Sequence, residues 1–317
     1  MKSGLRRENF KVKNLDVNGT LTGAYSNGGN TYYVDSAQSV TGGGTAWDDA
    51  YITISEAVAK SLADGGHHDT ILVRGTENQE SSATLSSDYS EDVTIAASQV
   101  GLRIIGCGNS PEGIAWTGAT ADSVILLVYA RDCYVSGFRF RPNGATTGCG
   151  IYLETAADMA ENAMGFTVEN CIFRSTTTTA LAGIAINGSN DVTIRDCKFT
   201  SVLTGILSIS PGHSVQYRTI IEDCFFDDKC TNGIDIDARS GIIRNNIIGI
   251  GLTMTIRTSK HTVGQENVVF NNVIPAAAYE TNAAGYVTDC WLGNKCIDTA
   301  NTDVDAAGNT LLYPNRA

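Results

Sequence analysis

A short phrase recurs along this chain of 317 residues and constrains its fold more than any other feature. It consists of an aliphatic or small residue, a variable residue, Asp or Asn, then Cys or Asn, with an apolar residue two positions later. A period mostly in the twenties is typical of one supersecondary unit per repeat, stacked on its neighbours around a continuous core. The copies are Ala130–Val135, Val168–Phe173, Ile194–Phe199, Ile221–Phe226, Ile243–Ile248 and Val269–Ile274, with Ile104–Cys107 as a degenerate earlier copy.

The phrase predicts a corner between two short strands. Its apolar positions slip by one residue from strict alternation, and the Asp or Asn at the slip tolerates a left-handed backbone. A second phrase, Gly followed by alternating Ile or Leu, predicts a half-buried strand in each repeat. Its copies are Gly150–Leu153, Gly183–Ile186, Gly205–Ser208, Gly233–Ile236 and Gly251–Met254. No helical pattern lies between these phrases, so the repeats are predicted to be all-β.

With these corners and Gly-Ile strands, residues 30–300 resemble the pectate-lyase-like superfamily of right-handed parallel β-helices. The resemblance implies an all-β solenoid, with roughly eight to ten coils between residues 70 and 300. It implies no single activity, because that superfamily includes lyases, hydrolases, epimerases, phage tailspikes and adhesins. A leucine-rich repeat would need Leu-x-x-Leu-x-Leu followed by Asn, which this sequence lacks.

The segment before the repeats resembles the usual opening of phage-type β-helix proteins, on the basis of Thr31–Asp35 and Ile54–Ala63. Thr53 and Glu56 have the spacing of a capping box, and Gly65 follows the apolar run. A short helix is therefore predicted at about residues 54–64, where it would cap the open end of the β-helix and protect its edge. The first coil is expected to begin at Ile71.

The chain has nine cysteines, and most share one position of the repeat. We predict an inward ladder of free thiols, which Asn246 and Asn272 continue. No Cys-x-x-Cys pair and no His at ligand spacing are present, so no metal and no cofactor are predicted. The predicted ladder comprises Cys107, Cys133, Cys171, Cys197 and Cys224.

The net charge and the distribution of apolar residues limit which partners and which cellular compartment are expected. The net charge of −12 disfavours nucleic acid. No apolar run of 18 residues predicts a membrane span, and the first residues lack the apolar region of a secretion signal. Free thiols without such a signal favour folding in a cytoplasm.

The two ends of the chain are expected to make contacts rather than form coils. Residues 1–30 are predicted to be an anchoring arm that binds another protein through its basic residues, and residues 301–317 a C-terminal cap or contact segment. Residues 31–300 form the predicted β-helix with its cap. The anchoring residues are Arg6, Arg7, Lys11 and Lys13.

Two outer faces carry patterns that suggest contacts. The residue before each corner is expected to form a ladder of alternating charge on neighbouring coils, made of Arg131, Glu169, Arg195, Glu222 and Arg244. The residue after each corner is mostly apolar, which predicts burial against another subunit or a loop of the same chain. The candidate interface residues are Tyr134, Ile172, Phe225 and Ile247.

The resemblance implies that a catalytic groove, if present, runs along the outer face of the Gly-Ile strands. Asp235 and Asp237 are the carboxylate pair expected there, and they are the catalytic candidates. Their Cα atoms would be about 6.6 Å apart on a strand, which overlaps the roughly 6.5–9.5 Å carboxyl separation of inverting glycosidases. Ala185 and Leu207 on the preceding coils offer nothing to orient a sugar, so an ordinary strand with a polar face in water is the simpler interpretation.

These observations favour a structural virion protein of a tailed bacteriophage, assembled in the host cytoplasm. It is predicted to be a homotrimeric β-helix that decorates the capsid or forms a short fibre or tailspike. The arm would bind capsid or tail proteins, and host surface polysaccharide is a further expected partner. The alternative is a polysaccharide depolymerase, either an inverting glycoside hydrolase or a lyase. A bacterial adhesin is disfavoured by the missing secretion signal.

Overall fold

Parallel strands in three long sheets wind around one core, so the predicted parallel β-helix is confirmed. The computed structural model describes residues 29–75, 88–108, 113–144, 146–155, 163–175, 180–209, 216–249, 254–258, 266–274 and 290–296. Each coil passes through sheet A, then sheet B, then sheet C, and its strands pair with the equivalent strands of the coils before and after it. Within these ranges, no helix is long and apolar enough to cross a membrane.

Sheet A has ten strands and is the longest of the three. They are Thr31–Asp35, Thr70–Arg74, Arg103–Gly106, Tyr134–Ser136, Thr167–Glu169, Thr193–Arg195, Ile220–Glu222, Ile242–Arg244, Val268–Phe270 and Cys290–Leu292. Nine of them begin at or after Thr70, which agrees with the coil number expected from the repeat. The first coil begins with Thr70–Arg74, as predicted at Ile71, and Thr31–Asp35 adds one strand to sheet A before the helix.

Sheets B and C complete each coil. Sheet B contains Tyr89–Ser90, Ala115–Thr117, Arg139–Arg141, Ile172–Arg174, Lys198–Thr200, Phe225–Phe226, Ile247–Ile248, Val273–Ile274 and Lys295–Cys296. Sheet C contains Val93–Ile95, Val124–Val128, Cys149–Leu153, Ala180–Ile186, Val202–Ser208, Asn232–Asp235 and Met254–Arg257. A small fourth sheet pairs Gln216–Tyr217 with Ala238–Arg239.

The capping helix lies at Ile54–Ala63, inside the range predicted from the sequence, and a 3-10 turn at Trp47–Asp49 precedes it. Its capping box is present: the Thr53 hydroxyl accepts from the Glu56 amide, and the Glu56 carboxylate accepts from the Thr53 amide. The Glu91 carboxylate accepts from the amides of Ile54 and Ser55, at 2.8 and 2.9 Å. A carboxylate at a helix N-terminus is favourable, so Glu91 joins the helix to the first coil.

Left-handed residues stand on both sides of six sheet A strands, from Tyr134–Ser136 to Val268–Phe270. The corner between sheets A and B has a positive φ at Gly137, Asn170, Asp196, Asp223, Asn245, Asn271 and Gly293. A second corner, between sheets C and A, has a positive φ at Gly101, Asp132, Gly165, Asp191, Arg218, Ser240 and Glu266, and His68 occupies the equivalent position before the first coil. The sequence analysis predicted the A–B corner. It did not predict the C–A corner, because residues of many types occupy that position.

Inward side chains form stacked columns. Sheet A contributes aliphatic residues from Ile71 to Val269, all with 0–1 % exposure. Sheet B contributes the rings of Phe140, Phe173, Phe199 and Phe226, whose centroids are 5.2, 5.0 and 4.7 Å apart in near-parallel pairs. Each fully buried side chain of this size contributes about 1.5–3 kcal/mol to folding, so the columns supply most of the stabilisation.

The predicted thiol ladder is correct for three of its five cysteines. Cys171, Cys197 and Cys224 are buried and free at the A–B corner, and Asn246 and Asn272 continue the column as predicted. The side-chain amide of Asn246 donates to the side chain of Asn272 and to the Ile221 carbonyl. The side-chain amide of Asn272 likewise donates to the side chain of Asn294 and to the Ile243 carbonyl. The sequence missed Asn294, because the phrase has decayed there.

Cys133 was assigned to the wrong corner. Val135, not Ala130, pairs with Val168, so Phe138 stands at the ladder position and Cys133 lies at the C–A corner beside Asp132. Both corners consist of a left-handed residue followed by an inward one, so Asp132-Cys133 has the local sequence of an A–B corner. The same error removes Arg131 from the charge ladder and Tyr134 from the apolar stripe.

Cys107 is exposed, although its position in the repeat was correct. Ile104 pairs with Val135, which places Cys107 at the position of Phe138. In the next coil the backbone N–H of Ile172 donates to the carbonyl of Phe138, which stands at this position. The equivalent N–H of Arg139 donates instead to the carbonyl of Ile114, so the corner after Gly106 is longer. The inserted residues take Cys107 out of the core.

Candidate functional site

The outer face of sheet C, where the resemblance implies a groove, is filled by an apolar cluster. Ala185 is 0 % exposed and Leu207 is 7 % exposed, and they pack with Cys149 and Ala182 outside the main core. Tyr152, Ala185, Leu207 and Asp235 stand in register on successive coils. The outward side chains of Ala185, Leu207 and Asp235 are therefore buried, whereas Tyr152 is half-buried.

Asp235 and Asp237 are not on a solvent face, so that expectation was wrong. They are 4 % and 6 % exposed. Asp235 is paired in register with Arg257 of the next coil, whose Nε and Nη2 donate to its two carboxylate oxygens at 2.6 and 2.8 Å. A two-point contact of this kind satisfies the carboxylate and stabilises its charged form. In this arrangement Asp235 links neighbouring coils through Arg257.

The outer face of sheet A carries the predicted charge ladder in four of its five positions. Glu169, Arg195, Glu222 and Arg244 are in register on consecutive coils. Arg195 forms an ion pair with Glu169, and Arg244 with Glu222 at 2.5 Å. Ser136 stands at the fifth position in place of Arg131. Such exposed pairs contribute little energy singly but favour this register.

The outer face of sheet B carries the apolar stripe. Ile172, Lys198, Phe225 and Ile247 are in register, and Arg139 stands where Tyr134 was predicted. Ile172 is only 8 % exposed, whereas Phe225 and Ile247 on adjacent coils are 40 % and 48 % exposed. The part of the stripe toward the C-terminal coils is therefore the part that is open to a partner.

A cavity of about 220 Å³ opens on the same face, toward the N-terminal coils. We call it the basic cleft. The sequence analysis missed it, although cations recur near equivalent positions of successive coils. Its lining residues are Arg139, Ile172, Arg174, Lys198, Thr200, Ser201, Asp227 and Lys229.

Three remaining predictions concern metal ions and the two ends of the chain. In the part of the chain that the structure describes, no group of three or more His, Cys, Asp or Glu residues could hold a metal ion. The anchoring residues Arg6, Arg7, Lys11 and Lys13 and the segment 301–317 lie outside the described residues. The arm therefore stays a prediction.

A family model described as "Right handed beta helix region" matches residues 47–216 and 123–310. The chain belongs to the right-handed β-helix family. The right-handed parallel β-helix expected from the corners is thereby confirmed. No curated protein matches the chain.

Solved structures of this family are similar in fold. A mutant of pectate lyase C in complex with pentagalacturonic acid has a TM-score of 0.53 at 14% identity, over 88% of this chain and 83% of that one. An alginate lyase from Paenibacillus sp. has a TM-score of 0.52 at 15% identity, over 86% of this chain and 97% of that one. This chain also matches a PL6 family alginate lyase with a TM-score of 0.44 at 15% identity; the match covers 77% of this chain and spans 34% of that one. Identities this low show the fold alone.

Proposed function

We propose that this chain is a structural β-helix protein of a tailed bacteriophage virion, which assembles as a trimer and attaches to glycans of the host surface. The observation that carries this proposal is the division of the outer faces. On sheet C, the face implied for catalysis, Ala185 and Leu207 are buried and Asp235 is ion-paired, while sheet B presents exposed Phe225 and Ile247. Surfaces of this kind are typical of protein contacts.

The trimer contact is proposed to use the exposed end of the stripe. Phe225 and Ile247 lie on adjacent strands, so three copies could bring these residues together around one axis in a closed assembly. Such a contact would stabilise a long β-helix, because an elongated solenoid exposes much surface relative to the volume of its core.

The test is the mass of the protein in solution, measured by analytical ultracentrifugation. The wild-type protein should sediment as a trimer, and Phe225→Asp/Ile247→Asp should sediment as a monomer with an unchanged circular dichroism spectrum. Val40→Asp is the matched control, because Val40 is 74 % exposed on another part of the chain. A monomeric wild type, or a double variant that stays trimeric, contradicts the proposed assembly.

The second candidate function is a polysaccharide depolymerase, which the fold of the lyases described above favours. It predicts release of new reducing ends or unsaturated products when purified protein is incubated with alginate, polygalacturonate or host capsule. We expect no release. Turnover that Asp235→Asn or Asp237→Asn abolishes would establish the enzymatic function in its place.

A further inference from the structure

Three Asn-Gly pairs lie in the described part of the chain, and the structure holds their side chains in different ways. At such a pair the backbone nitrogen of the glycine can attack the side-chain amide carbon of the asparagine, because glycine has no Cβ to hinder the approach. The reaction also needs an asparagine side chain that is free to rotate toward that nitrogen. The pairs are Asn143–Gly144, Asn187–Gly188 and Asn232–Gly233.

Two of the three asparagine side chains are held in place. The side-chain amide of Asn187 donates to the Glu154 carboxylate at 2.6 Å, and Asn187 is only 7 % exposed. The side-chain amide of Asn232 donates to the Thr204 hydroxyl at 3.2 Å, within the sheet C strand Asn232–Asp235. Each side chain must give up its hydrogen bond before its Cγ can reach the next backbone nitrogen, which makes the reaction slower.

Asn143 differs from these two, because it is exposed in the turn between the strands Arg139–Arg141 and Cys149–Leu153. Its backbone carbonyl accepts from the Asp122 amide at 2.9 Å. Among the described residues its side chain makes no hydrogen bond. Gly144 has a φ of 94°, and a Cβ there would collide with the Asp122 carboxylate. The turn therefore requires a glycine after an asparagine whose side chain is free to rotate.

We propose that Asn143 is a site of spontaneous deamidation in the folded protein. Hydroxide takes the proton from the backbone nitrogen of Gly144, and this nitrogen then attacks the Cγ of Asn143. A new C–N bond closes a succinimide ring, and the side-chain nitrogen leaves as ammonia after it takes a proton from water. One water molecule then opens the ring at either carbonyl, which gives aspartate or isoaspartate. Water is the co-reactant throughout, and no electrons are transferred.

The product changes the charge and the length of this turn. The aspartate form of residue 143 puts a further negative charge beside Asp122, whose carboxylate already accepts from the Thr146 amide at 2.8 Å. The isoaspartate form lengthens the backbone by one CH2 group where the Asn143 carbonyl accepts from Asp122. Thr146 and Thr147 are exposed, so the change stays at the surface and the inward columns should persist.

The test is peptide mapping by mass spectrometry of the full chain, kept in mildly alkaline buffer and sampled over several days. The peptide with Asn143 should gain the mass that replaces NH2 by OH and divide into aspartate and isoaspartate forms. It should convert about tenfold or more faster than the peptides with Asn187 and Asn232, whose side chains must first lose a hydrogen bond. In urea, where the fold no longer holds these side chains, all three pairs should react at similar rates.

The variant Asn143→Gln provides the matched control, because its longer side chain does not close a five-membered ring. It should remove the acidic form that ion-exchange chromatography separates from aged wild-type protein. Selective conversion of Asn143 in the folded chain, lost in urea and in this variant, supports the inference. It is overturned if Asn143 stays intact in the folded protein, if Asn187 or Asn232 reacts as fast there, or if the acidic form persists in Asn143→Gln.

Discussion

At the scale of single residues, the corners explain why Asp and Asn recur. A positive φ strains most side chains, but Asn and Asp adopt it readily. Asn170, Asp196, Asp223, Asn245 and Asn271 all do so at the same corner. The aspartates also carry charge, and on neighbouring coils these charges are close. Burial and the nearby Asp223 raise the pKa of Asp196 above its usual 3.8.

Asp196→Asn should therefore stabilise the protein at neutral pH. A carboxyl whose folded pKa is raised stabilises the fold fully below its unfolded pKa, and this contribution is lost as the pH rises through the folded value. Asn keeps the left-handed corner and removes the charge. We expect the free energy of unfolding to rise by about 0.2–1 kcal/mol at pH 7, since the exposed site is screened.

Unfolding by guanidinium chloride at pH 7 and pH 3 measures the free energy of unfolding of the wild type and of Asp196→Asn. The gain should vanish at pH 3, where Asp196 is protonated in both states. Asp48→Asn, at an exposed site on the 3-10 turn, is the control and should change nothing at either pH. A gain of equal size at both pH values would show that charge is not its cause.

At the scale of elements, one column of side chains changes its chemistry along the solenoid. Cys171, Cys197 and Cys224 behave as small apolar residues, and burial raises the pKa of Cys171 to about 12. From Asn246 onward the column becomes a hydrogen-bonded ladder that includes Asn272 and Asn294. Backbone groups at the A–B corners thus gain partners in the last described coils, where the aromatic stack of sheet B has given way to isoleucine.

Asn246→Ala should be strongly destabilising. Its side chain accepts from the Cys224 amide at 3.0 Å and donates to the Ile221 carbonyl at 3.1 Å, and both groups are buried. Loss of these partners should lower the free energy of unfolding by about 2–4 kcal/mol. Chemical denaturation measures the loss, and Asn143→Ala on the surface should cost less than about 0.5 kcal/mol. Similar losses in the two variants would mean that the ladder is not stabilising.

At the scale of the whole molecule, the described β-helix has its own cap and core. The strand Thr31–Asp35 and the helix Ile54–Ala63 close the first coil, and the columns continue to the last described strands. Folding should therefore not need residues 1–28. Attachment to the virion should need these residues, because the proposed anchor is the basic segment with Arg6, Arg7, Lys11 and Lys13.

Deletion of residues 1–28 should leave the thermal unfolding midpoint within about 2 °C, because the described strand Thr31–Asp35, the helix Ile54–Ala63 and the inward columns already form a capped core. It should abolish co-sedimentation with virions that lack the protein. Replacing Arg6, Arg7, Lys11 and Lys13 by Glu in the full-length chain should have the same effect if charge provides the anchor. A truncated protein that still binds virions would contradict the anchoring role.

The sequence by itself determined the solenoid, the left-handed A–B corner, the capping helix and most of the inward columns. These follow from local requirements: the positive φ of the A–B corner is occupied by Asp, Asn or Gly, and an inward position selects an apolar side chain. Only the tertiary structure decided the register of Asp132-Cys133, because this C–A corner has the local sequence of an A–B corner and stacking alone distinguishes the two. It also decided the outer faces. Asp235 meets Arg257, Ala185 is buried and the basic cleft forms through contacts between residues on different coils, which no local pattern records.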